Sequence, residues 1–391
     1  MPKKIAAIIT EYRRHSHADV IIGKILEGPN YDGKNLYDME ITTMYVDQFP
    51  ANDMSRDLAK KYQFSIVDSI EKALLDPRGK LGVDGVIIVG EHGKYPKNDR
   101  GQILYPRRKF FEEIVKVFAK TGTVVPVFND KHLSARWIDA FWMYEQAKKL
   151  KIPMFAGSSL PVTWRKPDLE LPIGAEITEA VQLGYGPLEG YGFHALESLQ
   201  CMVERRKGGE TGVSAVTALQ GAAIWQALDH GAFSKSLLEK ALGVVPAHAR
   251  GDIRQITSKA RDAAVYLIDY RDGFQAAVAM LNGYLYEGDG GAFCFATQQK
   301  GSKEPVATHF YLQQPDPFAH FAQLVTAIEF MMKTGKPPYP LERTLLTTGM
   351  LDAAISSQNT GKRVETPELK IAYQPTQWKH ATGVIPKSIK R

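Results

Sequence analysis

Short apolar runs alternate with helical patterns over residues 1–155. The apolar runs have the length and content of buried parallel strands and lie at residues 4–9, 39–46, 83–89, 124–128 and 153–156. Apolar residues at helical spacing separate them, at residues 19–27, 53–62, 66–75, 106–120 and 134–149. This order predicts an α/β, Rossmann-like domain over residues 1–155, with a parallel sheet covered by helices on both faces.

The pattern changes after residue 155. Strand-like stretches follow at residues 175–185, 213–220, 263–270, 274–284, 291–297 and 307–313. Helical spacing occurs at residues 191–206, 318–333 and 341–359. We therefore expect an α+β domain over residues 156–369, built on a large open antiparallel sheet with helices on one face. Residues 370–391 are expected to form an irregular C-terminal tail.

The turn between the first predicted strand and the helix after it lacks glycine. Residues 10–19 are Thr-Glu-Tyr-Arg-Arg-His-Ser-His-Ala-Asp. In a dinucleotide-binding fold this turn carries glycines, which let the backbone approach a pyrophosphate at the helix N-terminus. Arginine, histidine, glutamate and aspartate side chains stand here instead, and they suit anion or metal binding better. We therefore expect weak or no binding of a dinucleotide at this turn.

Composition and charge narrow the class of protein. The chain has 391 residues, a net charge of +6 and two cysteines. The cysteines, Cys201 and Cys294, lie in apolar surroundings and give no disulfide framework, so a cytoplasmic protein is expected. The basic residues form short, scattered clusters, which argues against nucleic-acid binding and for a small anionic ligand. No apolar run is long enough to span a bilayer, so no membrane association is expected.

Four segments, in order along the chain, carry a family resemblance. Residues 83–89 are similar to a fourth strand, and Val-Phe-Asn-Asp-Lys-His-Leu-Ser at residues 127–134 is similar to a segment that ends in Glu-Lys-Pro. Gly-Phe-His-Ala-Leu-Glu at residues 192–197 is similar to a helix start of the form Gly-x-His-x-x-Asp. Residues 321–340 and 342–364 are similar to a closing pair of helices with a Gly-Lys-Pro-Pro turn. Together these segments resemble the Gfo/Idh/MocA family of sugar and cyclitol oxidoreductases.

The resemblance implies an enzyme that uses NAD or NADP to oxidise or reduce a sugar or polyol. Lys131 matches the family's lysine beside the reacting hydroxyl, and His194 matches its catalytic histidine. Glu197 occupies the acidic position that follows His194, and His132 stands where the family has proline. We therefore predict that Lys131, His132, His194 and Glu197 are catalytic residues.

Polar residues also collect where the predicted parallel strands end, the edge at which open α/β sheets bind ligands. The candidates for binding a cofactor are Glu11, Arg13, Arg14, Glu91 and Asp130. Histidine is a common ligand of divalent metals. The candidates for binding a metal are His15, His17, His92 and His194. An aromatic ring beside an arginine suits a sugar and its substituents. The candidates for binding substrate are Trp164, Arg165 and Tyr191.

Three functions stay open on the sequence. The leading hypothesis is a nicotinamide-dependent sugar oxidoreductase in which Lys131 and His194 polarise and deprotonate a hydroxyl. The alternative is a lyase, hydratase or isomerase of a sugar derivative that uses no nicotinamide, with or without a divalent metal. The third is a non-enzymatic, ligand-sensing protein of the same fold. A sugar or sugar acid is the expected ligand, and a homo-oligomer is expected because open sheets of this kind pair through exposed faces.

Overall fold

The computed structural model describes residues 1–260, 262–286, 288–314 and 316–391. The chain folds into two compact units, each of which combines segments that are distant in sequence. Unit 1 consists of Met1–Ser159, Pro315–Leu341 and Ile385–Arg391, and unit 2 consists of Leu160–Gln314 and Glu342–Val384. This division differs from the expected continuous domain over residues 156–369, because a segment near the end of that range belongs with the N-terminal segment.

The strands and helices are as follows. The strands are β1 (Lys3–Ile9), β2 (Met39–Val46), β3 (Ser65–Val67), β4 (Gly85–Val89), β5 (Val127–Asp130), β6 (Met154–Gly157), β7 (Arg165–Lys166), β8 (Ile177–Gly184), β9 (Val213–Gln220), β10 (Ala264–Tyr270), β11 (Gln275–Met280), β12 (Gly290–Gln299), β13 (Val306–Leu312) and β14 (Val364–Glu365). The α-helices are α1 (His17–Glu27), α2 (Ser55–Tyr62), α3 (Ile70–Leu74), α4 (Arg107–Thr121), α5 (Trp137–Lys149), α6 (Phe193–Val203), α7 (Ala222–Asp229), α8 (Lys235–Leu242), α9 (Ile253–Lys259), α10 (Ala319–Thr334) and α11 (Leu341–Thr360). Within the described residues, none of the helices is both long and apolar enough to cross a membrane.

Unit 1 contains a parallel sheet of order β3-β2-β1-β4-β5-β6. In its central strands, residues 5–9 of β1 and residues 85–89 of β4 are apolar and buried, as a sheet covered on both faces requires. The predicted Rossmann-like sheet is therefore confirmed. One predicted helix, over residues 66–75, is instead β3 followed by the short α3. The Ser69 hydroxyl accepts a hydrogen bond from the Lys72 N–H and so begins the helix only at Ile70.

Helix α10 belongs to unit 1 because it packs on α1. The hydroxyl of Tyr37, which precedes β2, donates to the Ala322 carbonyl of α10 at 3.1 Å. The expected C-terminal tail over residues 370–391 is divided: residues 370–384 belong to unit 2 and residues 385–391 to unit 1. In unit 1 the Arg391 guanidinium binds the Asp19 carboxylate in the first turn of α1. The tail therefore contributes a charged group to α1.

Unit 2 contains a sheet of order β14-β9-β10-β11-β8-β12-β13-β7. Strands β8 and β11 pair in parallel, and the other pairs are antiparallel. The expected fold class, an α+β domain with a large and mostly antiparallel sheet, is confirmed.

Helices cover both faces of this sheet, whereas the sequence pattern had predicted helices on one face only. A Cβ atom on Gly184 of β8 would lie 3.0 Å from Ala195, so this face carries α6. Glu179 lies an odd number of residues away and points to the opposite face, where it lines a cavity with Phe233 and Ser234 at the start of α8. Helices α7, α8 and α9 were not predicted from the sequence pattern. The sheet face that was expected to pair with a second copy is packed by α8, and a homo-oligomer stays a prediction.

Candidate active site

The carboxyl ends of β1, β4 and β5 lie side by side, because these strands are neighbours in the sheet of unit 1. Thr10, directly after β1, donates from its backbone N–H to the Val89 carbonyl at 3.1 Å. Its hydroxyl donates to the Glu91 carbonyl at 2.5 Å. The polar residues that follow the three strands therefore meet at one edge, which is where an open parallel sheet binds ligands. We call this edge the polar edge.

A buried ion network at the polar edge holds Lys131. Its Nζ lies 2.9 Å from Glu91 Oε1, and the other carboxylate oxygen of Glu91 accepts from the Arg107 guanidinium. The Arg107 side chain is 1% exposed and the Lys131 side chain 7% exposed. Burial raises the pKa of Glu91, but the charges of Lys131 and Arg107 outweigh burial and hold this pKa well below its usual range. Glu91 is therefore an anion throughout the neutral pH range.

The backbone around Lys131 is held in an uncommon conformation. Lys131 has a φ of 62°, in the left-handed region, and its N–H donates to the Gly157 carbonyl at 2.9 Å. The Asn129 amide donates to the carbonyls of Asp130 at 3.1 Å and His132 at 3.2 Å, on either side of Lys131. Asn129 therefore fixes the turn that directs Lys131 toward Glu91.

His17 and Asp130 form a second pair at the polar edge. His17 is the first residue of α1, and its Nδ1 lies 2.6 Å from Asp130 Oδ2 at the end of β5. The Asp130 side chain is fully buried, and the His17 side chain is 14% exposed. Ser16 caps the helix by accepting from the Asp19 N–H, which fixes the backbone from which His17 projects. The pair is therefore anchored from both of its secondary-structure elements.

The other two histidines of the polar edge are uncharged at neutral pH. Burial, followed by the nearby charge of His17, lowers the pKa of His92 to about 3. Burial and then the charge of Arg107 lower the pKa of His132 well below its usual value. The His132 ring lies 3.0 Å from the Ser134 carbonyl through Nδ1 and 3.4 Å from Arg107 through Nε2. These contacts hold Arg107 and the turn in place.

Several buried polar atoms at the polar edge have no hydrogen-bond partner within the described part of the chain. They include Asn129 Oδ1, Asp130 Oδ1 and His92 Nε2. Buried polar groups in proteins are nearly always hydrogen-bonded, and an exception calls for an explanation such as a catalytic role or a bound water or ion. The three atoms lie on the residues that surround Lys131 and His17. This edge is therefore suited to a small ligand rich in hydroxyl groups.

The β1–α1 turn does not fit a pyrophosphate in the way that a glycine-rich turn does. The N–H groups of Arg13 and Asp19 donate to the Ser16 hydroxyl at 3.2 and 3.3 Å. The His15 N–H donates to the Asp19 carboxylate at 2.8 Å, and the Ser16 N–H donates to the Arg13 carbonyl at 3.0 Å. Oxygen atoms of the chain itself therefore occupy the donors that a phosphate would need.

The end of β2 also differs from a dinucleotide site. In dinucleotide folds an acidic residue near this point binds the ribose hydroxyls. Here Asp47 follows β2, and its two carboxylate oxygens accept from the hydroxyls of Tyr45 at 2.8 Å and Tyr95 at 2.7 Å. The backbone N–H groups of Asp47 and Gln48 bond to the ends of β1. The carboxylate is thus already bound within the chain.

Two arginines at the turn keep about a third of their side-chain surface exposed. Arg13 is 34% exposed, and its Nε lies 2.7 Å from the Glu11 carboxylate, which is nearly buried. Arg14 is 37% exposed and lies 3.3 Å from the buried Asp316 carboxylate. These guanidinium groups are the cations at this turn that could hold a phosphate group.

The described residues include no group of three or more His, Cys, Asp or Glu side chains that could hold a metal ion. The histidines predicted as metal ligands have other partners. His15 lies 3.0 Å from Asp316, His17 binds Asp130, and His92 lies 3.3 Å from an Arg13 guanidinium nitrogen. The expected metal site therefore finds no support in the structure.

The remaining predicted residues lie in unit 2. His194 is the second residue of α6, and its ring lies about 6.0 Å from the rings of Tyr191 and Phe293. Glu197, one turn later, is fully buried. Trp164 is buried, and the buried Arg165 forms an ion pair at 2.8 Å with Glu170, whose side chain is 33% exposed. This ion pair gives Arg165 a partner within unit 2.

Sequence reasoning missed two charged residues of unit 1. Arg107 begins α4 within the run Arg107-Arg108-Lys109, which has the composition of a solvated surface. A Cβ on Gly90 would lie 2.6 Å from Arg107 Cγ, so this glycine is what lets the arginine approach the end of β4. A glycine directly after β4 was therefore the one feature of the sequence that could have indicated a side chain packed against the end of this strand. Asp316, which binds Arg14 and His15, is distant in sequence and gave no local signal.

No protein-family model and no curated protein sequence matches this chain. Solved structures match it in fold. A probable dehydrogenase from Thermotoga maritima is 14% identical, with a TM-score of 0.58 and coverage of 93% of this chain and 99% of that chain. Scyllo-inositol dehydrogenase from Lactobacillus casei with bound cofactor NAD(H) and scyllo-inositol is 10% identical, with a TM-score of 0.57 and coverage of 93% and 99%. GenD2 from gentamicin A biosynthesis, in complex with NAD, is 12% identical, with a TM-score of 0.56 and coverage of 93% and 97%.

The chain has the two-domain fold of the Gfo/Idh/MocA-type inositol and other sugar dehydrogenases. At identities of 10–14% the likeness establishes the fold, and the resemblance carried by the four sequence segments is confirmed at that level.

Proposed function

We propose that this chain is an enzyme that acts on a hydroxyl group of a sugar or cyclitol and is of the sugar-oxidoreductase type. One observation carries the proposal. Lys131, at the carboxyl end of β5, is buried in an ion network with Glu91 in a fold otherwise found in sugar dehydrogenases. An ion network that holds an ammonium group at a ligand-binding edge, beside polar atoms with no partner, is typical of a catalytic site.

Lys131 has the properties of an electrostatic stabiliser. The ionised Glu91 fixes its Nζ at one point, and the Asn129 amide fixes the backbone below it. A preorganised ammonium lowers the energy of negative charge that develops on a substrate oxygen. We propose that Lys131 binds the reacting hydroxyl and stabilises its alkoxide form. The roles of His194 and Glu197 in unit 2 stay predictions from the resemblance.

A nicotinamide, when bound, supplies the acceptor of hydride in a reaction of this type. The backbone of the β1–α1 turn does not fit its pyrophosphate, and the groups left to hold a phosphate are the side chains of Arg13 and Arg14. We propose NAD or NADP as the cofactor on the strength of the fold, with binding through these two side chains.

A second candidate function is favoured by the occupied turn. The donors that would bind a pyrophosphate are bonded to Ser16 and Asp19, which favours a reaction that needs no dinucleotide. Elimination, hydration or isomerisation of a sugar derivative needs a proton acceptor, a proton donor and a stabiliser of an enolate or alkoxide, but no acceptor of hydride.

Turnover assays of the purified full chain test the proposal. Inositols, sugars and sugar acids are each supplied with NAD, with NADP and without cofactor, and products are followed by absorbance and mass spectrometry. We expect a product that depends on nicotinamide, or an isomerised or dehydrated product without it in the second case. Lys131→Ala should abolish most of this turnover. Lys120→Ala, which removes an exposed lysine paired with Glu71, is the matched control and should retain it. The absence of any product under all conditions would contradict an enzymatic function.

A further inference from the structure

The network around Lys131 lacks a proton acceptor. An ammonium group paired with an ionised carboxylate donates hydrogen bonds but has no lone pair to receive a proton. Both oxygens of Glu91 are bound by cations, Lys131 on one side and Arg107 on the other. A reaction that removes the proton of a hydroxyl therefore needs a group outside this network.

His17 has the geometry of that group. Its Nδ1 lies 2.6 Å from Asp130 Oδ2, and a carboxylate can only accept, so Nδ1 carries the proton and Nε2 carries the lone pair. Nε2 has no hydrogen-bond partner among the described residues, and the side chain is 14% exposed. The lone pair is therefore available to a ligand at this edge.

The groups that face His17 do not compete with it as bases. Asp130 faces it from β5, Glu91 and His92 from the segment after β4, and His320 from α10. Burial lowers the pKa of His92 and of His320 to about 3, so both are very weak bases at neutral pH. Glu91 is held as an anion by two cations, and the fully buried Asp130 is bound to His17 through Oδ2.

We propose that His17 is the catalytic base of this enzyme and that Asp130 is the positioning residue that holds it in the acceptor tautomer. The inference rests on the proposed function. In the step assigned to them, the hydroxyl proton of the substrate moves to His17 Nε2, which becomes an imidazolium. The electron pair of the O–H bond stays on the substrate oxygen, where Lys131 stabilises the alkoxide. Both halves of the acid–base chemistry then lie at the polar edge of unit 1.

His17→Asn tests the assignment because asparagine can still donate to Asp130 but has no nitrogen that accepts a proton. We expect turnover to fall by about 10²–10⁴ in kcat with little change in KM, the scale for loss of a general base. His230→Asn is the matched control. His230 is exposed at the end of α7 in unit 2, where its ring nitrogen Nδ1 lies 2.7 Å from the Gln226 carbonyl. This control should keep near-normal turnover.

Chemical rescue separates a base from a merely structural residue. Imidazole added to His17→Gly should restore part of the lost turnover in a saturable manner, whereas it should change nothing in wild type. Asp130→Asn should reduce kcat without loss of the folded state, because an amide donor in place of the carboxylate favours the wrong tautomer of His17. Near-normal kcat in His17→Asn, or a loss of turnover that imidazole cannot restore, would overturn the proposal.

A measurement without substrate keeps this inference distinct from the proposed function. In protein labelled with ¹⁵N-histidine, NMR should find the proton of neutral His17 on Nδ1, with Nε2 unprotonated, and Asp130→Asn should alter this state. The opposite tautomer in wild type would overturn the assignment of His17 even if a substrate were turned over. The expected tautomer without any turnover would instead count against the proposed function.

Discussion

Two buried charge clusters, one in each unit, differ in how completely their atoms are bonded. In unit 2, Arg343 binds Glu204 through Nε at 2.8 Å, and the Tyr373 hydroxyl donates to the same carboxylate at 2.8 Å. Glu210 nearby accepts from Arg206, Gln200 and two backbone N–H groups. None of these side chains has a buried atom without a partner among the described residues.

The polar edge of unit 1 contains the same kinds of residue but is bonded less completely. Asp130, Asn129 and His92 each keep one buried polar atom without a partner in the described chain. A fully satisfied network rigidifies a core, whereas an incomplete one costs free energy of folding. The network of unit 2 is bonded in the way that a structural core is, and the less complete bonding of the polar edge supports the proposal that it binds a ligand.

The largest effect on stability is expected from breaking the network of unit 2. Arg343→Met leaves the fully buried Glu204 carboxylate without its cation, which should lower the free energy of unfolding by about 3–5 kcal/mol. Arg254→Met is the control, because Arg254 and Asp229 form an exposed pair whose loss should change stability very little. Urea unfolding measures both. Equal losses in the two variants would remove the distinction between the clusters.

Arg107→Met tests whether the ion network at the polar edge of unit 1 serves catalysis or stability. The variant leaves Glu91 with Lys131 alone and frees Lys131 to move, so we expect kcat to fall by roughly 10- to 100-fold. Arg108→Met is the neighbouring control, since Arg108 pairs with the half-exposed Glu112 and stacks on Trp142. Turnover assays and thermal unfolding are run on both. If Arg107→Met lost stability but kept turnover per folded molecule, the polar edge would be structural.

Acid should weaken the fold through buried histidines. The pKa of His92 and of His320 is about 3 in the folded chain, against about 6.5 when unfolded, because burial disfavours their charged forms. The unfolded state therefore binds more protons between these values, and stability is full above pH 6.5 and falls as the pH drops toward 3. Each histidine should contribute up to about 1.4 kcal/mol per pH unit. Urea unfolding from pH 7 to pH 4.5 measures how steeply the free energy of unfolding falls with pH. This fall should be less steep in His320→Phe than in wild type, and an equal fall would contradict the assignment to His320.

Dinucleotide binding is expected to be the smallest effect. The bonded N–H groups of the β1–α1 turn and the carboxylates of Glu11 and Asp19 weaken the binding of a pyrophosphate, so a dinucleotide held by the Arg13 and Arg14 side chains should bind weakly, with a Kd for NADH or NADPH of roughly 0.1–1 mM. Titration by fluorescence measures this. Micromolar affinity would contradict the account of the turn. Its loss in Arg13→Ala or Arg14→Ala would then identify the side chain that holds a phosphate.

The fold was predictable where burial is complete. Residues 5–9 of β1 and residues 85–89 of β4 are apolar runs with no exposed side chain, and the order of such runs along the chain predicts a parallel sheet. Helices α7 to α9 were missed, although Ser234 caps α8 and Leu237, Leu238 and Ala241 lie at helical spacing behind it. These residues lie between two predicted strands, at residues 213–220 and 263–270, and their apolar spacing was not assigned to a helix.

The site was predictable only in its location. Strand order brings Glu91, Asp130 and Lys131 to one edge, so the sequence suffices to group them. Which carboxylate binds which base depends on side-chain packing across elements, and no local pattern distinguishes Glu91 with Lys131 from Asp130 with His17. The predicted metal site finds no support among the described residues, where His15, His17 and His92 each have a charged partner within the chain.

If the polar edge is a single catalytic unit, the double variant of Lys131 and His17 should show it in its turnover. Lys131→Ala and His17→Asn should each reduce kcat by about 10²–10⁴. Residues that act on one substrate hydroxyl are strongly non-additive, so the double variant should be little worse than the poorer single variant. All three proteins should unfold at nearly the wild-type temperature. A loss in the double variant equal to the product of the two single losses, or near-normal turnover in both single variants, would contradict the account.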